Sequence, residues 1–106
     1  LGRALAATAP AGVTLIAPPE AEFDIANADA VARIVAATAP DLLVNAAAWT
    51  AVDKAEAEED AARLINATAV GHLATAAARA GARFVQISTD YVFDGRGHTP
   101  YAPTTP

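Results

Sequence analysis

Ser88-Thr89-Asp90-Tyr91-Val92-Phe93-Asp94-Gly95 places hydroxyls, carboxylates and a phenol directly after the run Arg83-Phe84-Val85-Gln86-Ile87. A short apolar run of that kind, rich in β-branched and aromatic residues, reads as a buried strand. In open α/β sheets ligands bind beyond the carboxyl ends of the strands. A hydroxyl at such a position can donate a hydrogen bond to a substrate carbonyl and stabilise charge developing on its oxygen. The same residues can equally form a plain strand-end turn, capped by Asp90 and packed by Tyr91 and Phe93. Residue chemistry alone leaves both readings open.

A second strand end lies upstream. Asp41-Leu42-Leu43-Val44-Asn45-Ala46 reads as another buried strand and runs into Ala47-Ala48-Trp49-Thr50-Ala51-Val52-Asp53-Lys54-Ala55-Glu56. The small side chains of Ala46, Ala47 and Ala48 would let a flat or charged ligand approach the backbone. They would also serve tight helix–strand packing in an alanine-rich chain. Val52 to Glu56 by itself is an acidic, solvated helix start. Asn66, inside Ile65-Asn66-Ala67, is a polar residue on an apolar helical stripe and by itself reads as a structural amide.

The elements that must position these segments emerge from pattern. Leu1 to Ala9 reads as a helix stopped by Pro10 and Gly12, and Val13-Thr14-Leu15-Ile16 as a β-branched strand broken by Pro18-Pro19. Asp24-Ile25 falls in a loop or short bridge. A helix is predicted over 28–39, with Val31, Ile34 and Val35 on one face, Asn27 as N-cap and Pro40 as terminator. A longer helix is predicted from about Asp60 to Ala80, carrying Ile65, Ala69, Leu73 and Ala76 as its apolar stripe. Its acidic start and Arg79 near its end suit the helix dipole, and Gly81 suits a left-handed C-terminal cap. Residues 95–106 read as loop. Helix, strand, helix, strand, helix, strand implies βαβ units and a parallel sheet.

Bulk composition narrows the function classes. The chain has 106 residues, 54% of them hydrophobic, and a net charge of −5. That is enough for one domain with a modest core. The acidic balance disfavours nucleic acid, which calls for a basic face. With no cysteine there is no disulfide framework, thiolate chemistry or cysteine metal site, and no metal-ligating constellation is predicted. His72 in a helix and His98 in a glycine-flanked loop read as structural or solvated. No apolar run reaches membrane-spanning length and no signal peptide is visible, so a cytoplasmic protein without membrane association is the expectation.

Taken together, the segments 45–56 and 88–95 resemble the dTDP-4-dehydrorhamnose reductase family, an extended branch of the short-chain dehydrogenase/reductases. The likeness runs from Leu1 to about Tyr101. It implies an α/β fold of Rossmann type, a parallel sheet with helices on both faces, here incomplete: residues 1–106 as a partial NAD(P)-binding domain of a longer enzyme. It implies NADPH or NADH as cofactor and a dTDP-sugar as substrate, with the 4-keto group of dTDP-6-deoxy-L-lyxo-4-hexulose reduced to give dTDP-L-rhamnose. A homodimer is compatible with it. By the same resemblance Gly2, Asp24, Ile25, Ala47, Ala48 and Thr50 contact the cofactor, with Asp24-Ile25 flanking the adenine. Val52, Asp90 and Tyr91 contact the sugar nucleotide, Thr89 is the carbonyl-polarising hydroxyl, and Asn66 supports the local backbone. Other readings inside this frame are a reductase or epimerase acting on another nucleotide sugar, and a non-catalytic protein resembling the regulatory subunit of methionine adenosyltransferase.

The chain departs from the pattern in places. Of the glycine-rich turn that meets a pyrophosphate only Leu1-Gly2 matches, Gly2 as the last glycine. The family's Tyr-x-x-x-Lys would fall past Pro106; Tyr91 and Tyr101 are not followed by lysine at four residues, and Lys54 is the only lysine. The segment Ile16-Ala17-Pro18-Pro19-Glu20 offers neither a strand-end acid for a ribose hydroxyl nor an arginine for a 2′-phosphate, which leaves NAD against NADP open, with Glu20 slightly favouring NAD. The expected result is that residues 1–106 alone show no NAD(P)H oxidation with the dTDP-4-keto sugar, measured at 340 nm; turnover by the isolated piece would contradict that expectation.

Overall fold

The structure, a computed structural model, describes residues 1–105. Among its described α-helices, the one over Ala28–Thr38 is the one that begins at a side-chain cap. Helix α1 spans Gly2–Ala7. Helix α2 spans Ala28–Thr38, and the Asn27 side-chain oxygen accepts from the Ala30 N–H at 3.0 Å, satisfying one of the unpaired first-turn donors. Asp29 in that turn complements the helix dipole. Val31 and Val35, one turn apart, are the residues of α2 that become buried. The helix closes at Ala39, which takes a left-handed φ of 41°. Pro40 comes next and disfavours continued α geometry at the residue before it.

Strand β1 (Leu42–Asn45) is succeeded by helix α3 (Val52–Ala57) and helix α4 (Glu59–Arg63). A π turn over Leu64–Thr68 joins α4 to helix α5 (Ala69–Ala80). The sequence predicts one regular helix from about 60 to 80. The inserted π turn is a difference that apolar periodicity does not reveal, because one widened turn barely disturbs the spacing of Ile65, Ala69 and Leu73. Helix α5 ends at Gly81 with φ 69°; the N–H of Ala82 reaches back to the carbonyl of Ala77 at 2.9 Å. This Schellman-type closure favours glycine, since side chains rarely adopt that backbone region. Strand β2 (Arg83–Gln86) and a 3-10 turn (Asp90–Val92) complete the described elements.

The two strands are parallel, with Leu42 beside Arg83, Leu43 beside Phe84, Val44 beside Val85 and Asn45 beside Gln86. Side chains alternate across a strand, and Leu43 and Phe84 pack against a cluster of Val31, Val35, Leu73 and Ala76 from α2 and α5. Phe23 and Ile25 close the cluster from the loop before α2. The α/β class and parallel sheet predicted from the element order are present. Two expectations change. Val13–Ile16 forms no strand: the sheet of the described residues has two members, and β-branched composition cannot make a ladder without a paired neighbour. Nor are the strands buried on both faces; Leu42, Val44 and Val85 on the side away from α2 and α5 are exposed.

Leu73 is 2% exposed at the centre of the cluster. Leu73→Ala is expected to lower the unfolding free energy of the protein by about 2–5 kcal/mol, read by urea denaturation; a loss below about 1 kcal/mol would show that α5 does not anchor the core.

Candidate functional site

Parallel pairing sends both strands in one direction, so the segment leaving Asn45 lies next to the segment leaving Gln86. Helices α2 and α5 run into the starts of β1 and β2 through short turns. Their own starts, with the Asp24–Asn27 loop, therefore lie towards the carboxyl ends of the strands. His72 on α5 confirms the proximity: its Nδ1 is 3.4 Å from the Ile25 carbonyl oxygen.

Gly2, at the start of α1, faces the end of β1: a Cβ built there would stand 3.8 Å from the Cβ of Ala46. That is ordinary contact distance, so the start of α1 lies against the end of β1 with room for a methyl group at position 2. Ala47 and Ala48 are exposed beside this contact. The segment does not hang free. The Ala47 N–H donates to the Asn45 side-chain oxygen at 3.1 Å. The Asn66 amide holds both backbone groups of Trp49, accepting from its N–H at 2.8 Å and donating to its carbonyl at 3.1 Å. Asn66 is carried by the π turn, and this pairing is the backbone support expected of it. Trp49 itself is half-buried and donates through Nε1 to the Ala51 carbonyl at 3.1 Å. Thr50 is exposed, and Val52, also exposed, opens α3.

After β2 the chain passes Ile87 and Ser88 to Thr89, which is the N-cap of the 3-10 turn. The Thr89 hydroxyl accepts from the Tyr91 N–H at 3.3 Å and donates to the Asp90 carboxylate at 3.2 Å. Thr89 rather than Asp90 is thus the cap. Its oxygen is held in place by the Tyr91 amide, while its proton is directed to an exposed carboxylate. A rotation about the Cβ–Oγ bond would turn that proton to an incoming acceptor without disturbing the amide contact. Tyr91 projects outward, 74% exposed. Further along, Phe93 stacks on Tyr101 with ring centroids 4.2 Å apart, folding the 94–100 loop back on itself.

The structure therefore brings Gly2, Ala47 and Ala48 to one strand end and Thr89, Asp90 and Tyr91 to the neighbouring one. The side-chain hydrogen bond of Asp24 is to neither segment. Its carboxylate accepts from the Ala26 N–H at 2.9 Å, a local turn, while Ile25 packs into the core. Two residues that pattern reading passed over sit at the junction: Asn45, 4% exposed and the buried polar residue of the described core, and Gln86, its register partner. The available signal was a polar residue inside or at the end of each apolar run, Gln86 before Ile87 and Asn45 after Val44. No group of His, Asp and Glu suited to a metal occurs among the described residues.

The family model described as the RmlD substrate binding domain matches residues 1–106. A dTDP-4-dehydrorhamnose reductase of Burkholderia thailandensis is 52% identical over 85 residues, 80% of this chain and 28% of the relative. The Escherichia coli K12 protein of that name is 52% identical over 81 residues, 76% of this chain and 27% of the relative. The chain belongs to the dTDP-4-dehydrorhamnose reductase family. It spans little more than a quarter of the length of these curated relatives. Solved members of the family have the same fold. The protein from Clostridium acetobutylicum superposes with a TM-score of 0.89 at 39% identity, covering 99% of this chain and 36% of that one. The one from Bacillus anthracis, in complex with NADP, gives 0.87 at 36% identity, covering 92% and 35%.

The clamp of Asn66 on Trp49 predicts a local effect within this reductase family member. Asn66→Ala should speed hydrogen exchange at the Trp49 amide by about tenfold and lower stability by about 1 kcal/mol; unchanged exchange at Trp49 would show that the clamp does not order the 47–50 segment.

Proposed function

We propose that the protein carrying this chain reduces the 4-keto group of dTDP-6-deoxy-L-lyxo-4-hexulose, giving dTDP-L-rhamnose, with NADPH or NADH. One observation carries the reading: in a chain of this family, Thr89 follows β2, whose end is paired in parallel with the end of β1 that leads into the small-residue segment. A dinucleotide suits these residues, because Ala47 and Ala48, small and exposed, follow β1 where the start of α1 meets the strand end. The NADP held by the Bacillus anthracis neighbour supports the same cofactor class. When bound, the cofactor supplies the hydride.

The chain's own residues bind and orient. Gly2, Ala47, Ala48 and Thr50 would lie along the cofactor, with Asp24 and Ile25 beside its adenine. Val52, Asp90 and Tyr91 would contact the sugar nucleotide. Thr89 would donate a hydrogen bond from its hydroxyl to the 4-keto oxygen, exchanging the Asp90 contact for one to substrate, while the Tyr91 N–H keeps its oxygen in position; the proton of the product hydroxyl would come from the tyrosine of the family's Tyr-x-x-x-Lys. A donor fixed in advance costs little reorganisation as negative charge builds on the carbonyl oxygen. A homodimer is compatible with this reading. The proposed compartment is the cytoplasm; no helix of the described residues is long and apolar enough to cross a membrane.

The test is NAD(P)H oxidation by the complete protein with the dTDP-4-keto sugar, wild type against Thr89→Ala. Turnover is expected, with a loss of about 10²-fold or more in kcat for the variant. Cofactor binding without turnover of this sugar would assign the site to a different nucleotide sugar or to a regulatory role.

A further inference from the structure

The two strand ends are joined by a continuous chain of amide hydrogen bonds. The Ala47 N–H donates to the Asn45 side-chain oxygen at 3.1 Å. The Asn45 side-chain nitrogen donates across the sheet to the Gln86 side-chain oxygen at 2.8 Å. The Gln86 side-chain nitrogen donates to the Ile87 carbonyl at 2.6 Å. The Ile87 N–H closes the ring, donating to the Asn45 carbonyl at 3.3 Å. This chain of bonds begins at the backbone segment proposed to carry the cofactor and ends two residues before Thr89.

An asparagine only 4% exposed is costly to bury unless its polar atoms are paired. Asn45 has both ends of its amide engaged, and no buried side-chain nitrogen or oxygen of the described residues is left without a partner. A valine or leucine would fill the same strand position and bury more apolar surface. A residue of that kind, however, would leave the Ala47 N–H and the Gln86 amide without their shared partner. The amide pair thus does what an apolar residue cannot: it ties the loop after β1 to the loop after β2.

We infer that Asn45 and Gln86 are positioning residues that set the spacing between the Ala47–Ala48 backbone and the Thr89 hydroxyl. The inference deepens the proposed reductase function and rests on it. Hydride transfer requires cofactor and carbonyl to be held within a narrow distance, so a displacement of about 1 Å can cost 10²-fold in rate. A brace made of short, mutually oriented side-chain amides adds to the backbone pairing, whose last register pair is Asn45 with Gln86, in limiting that displacement.

Gln86 is exposed, so Gln86→Met removes both of its contacts at nearly unchanged length with little risk to folding. In the complete protein this variant is expected to lower kcat by about tenfold, to leave KM for the dTDP-sugar within about threefold, and to speed hydrogen exchange at the Ala47 amide, on the other strand, by about tenfold. Gln86→Glu, which retains an oxygen facing Asn45, is expected to keep the slow exchange at Ala47. Unchanged exchange at Ala47 in Gln86→Met overturns the inference. So does faster exchange with kcat unaltered in an active enzyme, because the amides would then order backbone without positioning the reaction. A wild-type protein that fails to turn over the sugar sinks the reductase reading instead, and exchange at Ala47 still decides whether the brace exists.

Discussion

The parallel pairing of Leu42–Asn45 with Arg83–Gln86 is the constraint on which the other features depend. Its direction sends both strands to the same edge, and its register sets Asn45 beside Gln86. Without it, the segments after residues 45 and 86 would be far-separated pieces of chain, each with small or hydroxylated side chains and no common purpose. The pairing also settles which residues face the helices. Leu43 and Phe84 lie on that side and meet Val31, Val35 and Leu73, so the burial that stabilises the sheet and the alignment that builds the site come from one arrangement.

Three polar devices then refine the edge. Asn45 and Gln86 link the strand ends through their side-chain amides. Asn66 fastens the backbone at Trp49 from the π turn. The Tyr91 N–H holds the Thr89 oxygen. Each uses an uncharged group to order a loop that would otherwise be free. Side-chain amides suit the task because each can donate and accept in a fixed plane. Segments held this way are ordered without a ligand, which would lower the ordering cost of binding. π turns recur at functional positions, and the one here has a local purpose: it carries the residue that grips the neighbouring loop.

Much of this was legible in the residues. The boundaries of α2 could be read from Asn27 and Pro40, and the end of α5 from Gly81, since caps and breakers act on the nearest few residues. The two strand-end segments stood out by composition and matched a family pattern over nearly the whole chain. The Asn66 support was readable only through that resemblance; its residue type and position alone pointed to a structural amide. The strand expected at Val13–Ile16 failed for a physical reason. Strand propensity describes a side chain's fit to a pleated surface, whereas a strand exists only where another segment offers its backbone.

The sequence by itself determined the bounds of α2, the end of α5, the α/β class and the chemistry present at each strand end, because these depend on residue type and on neighbours close along the chain. Tertiary structure decided which polar groups meet. The Asn45–Gln86 bond spans two strands whose register no local pattern encodes. The cap at the 3-10 turn proved to be Thr89 rather than Asp90, a choice made by backbone direction after β2. The π turn, too, is a tertiary feature: it carries Asn66, whose side chain bonds to the loop after β1. Long-range hydrogen bonds depend on ångström-scale placement of distant segments, and only the folded backbone supplies it.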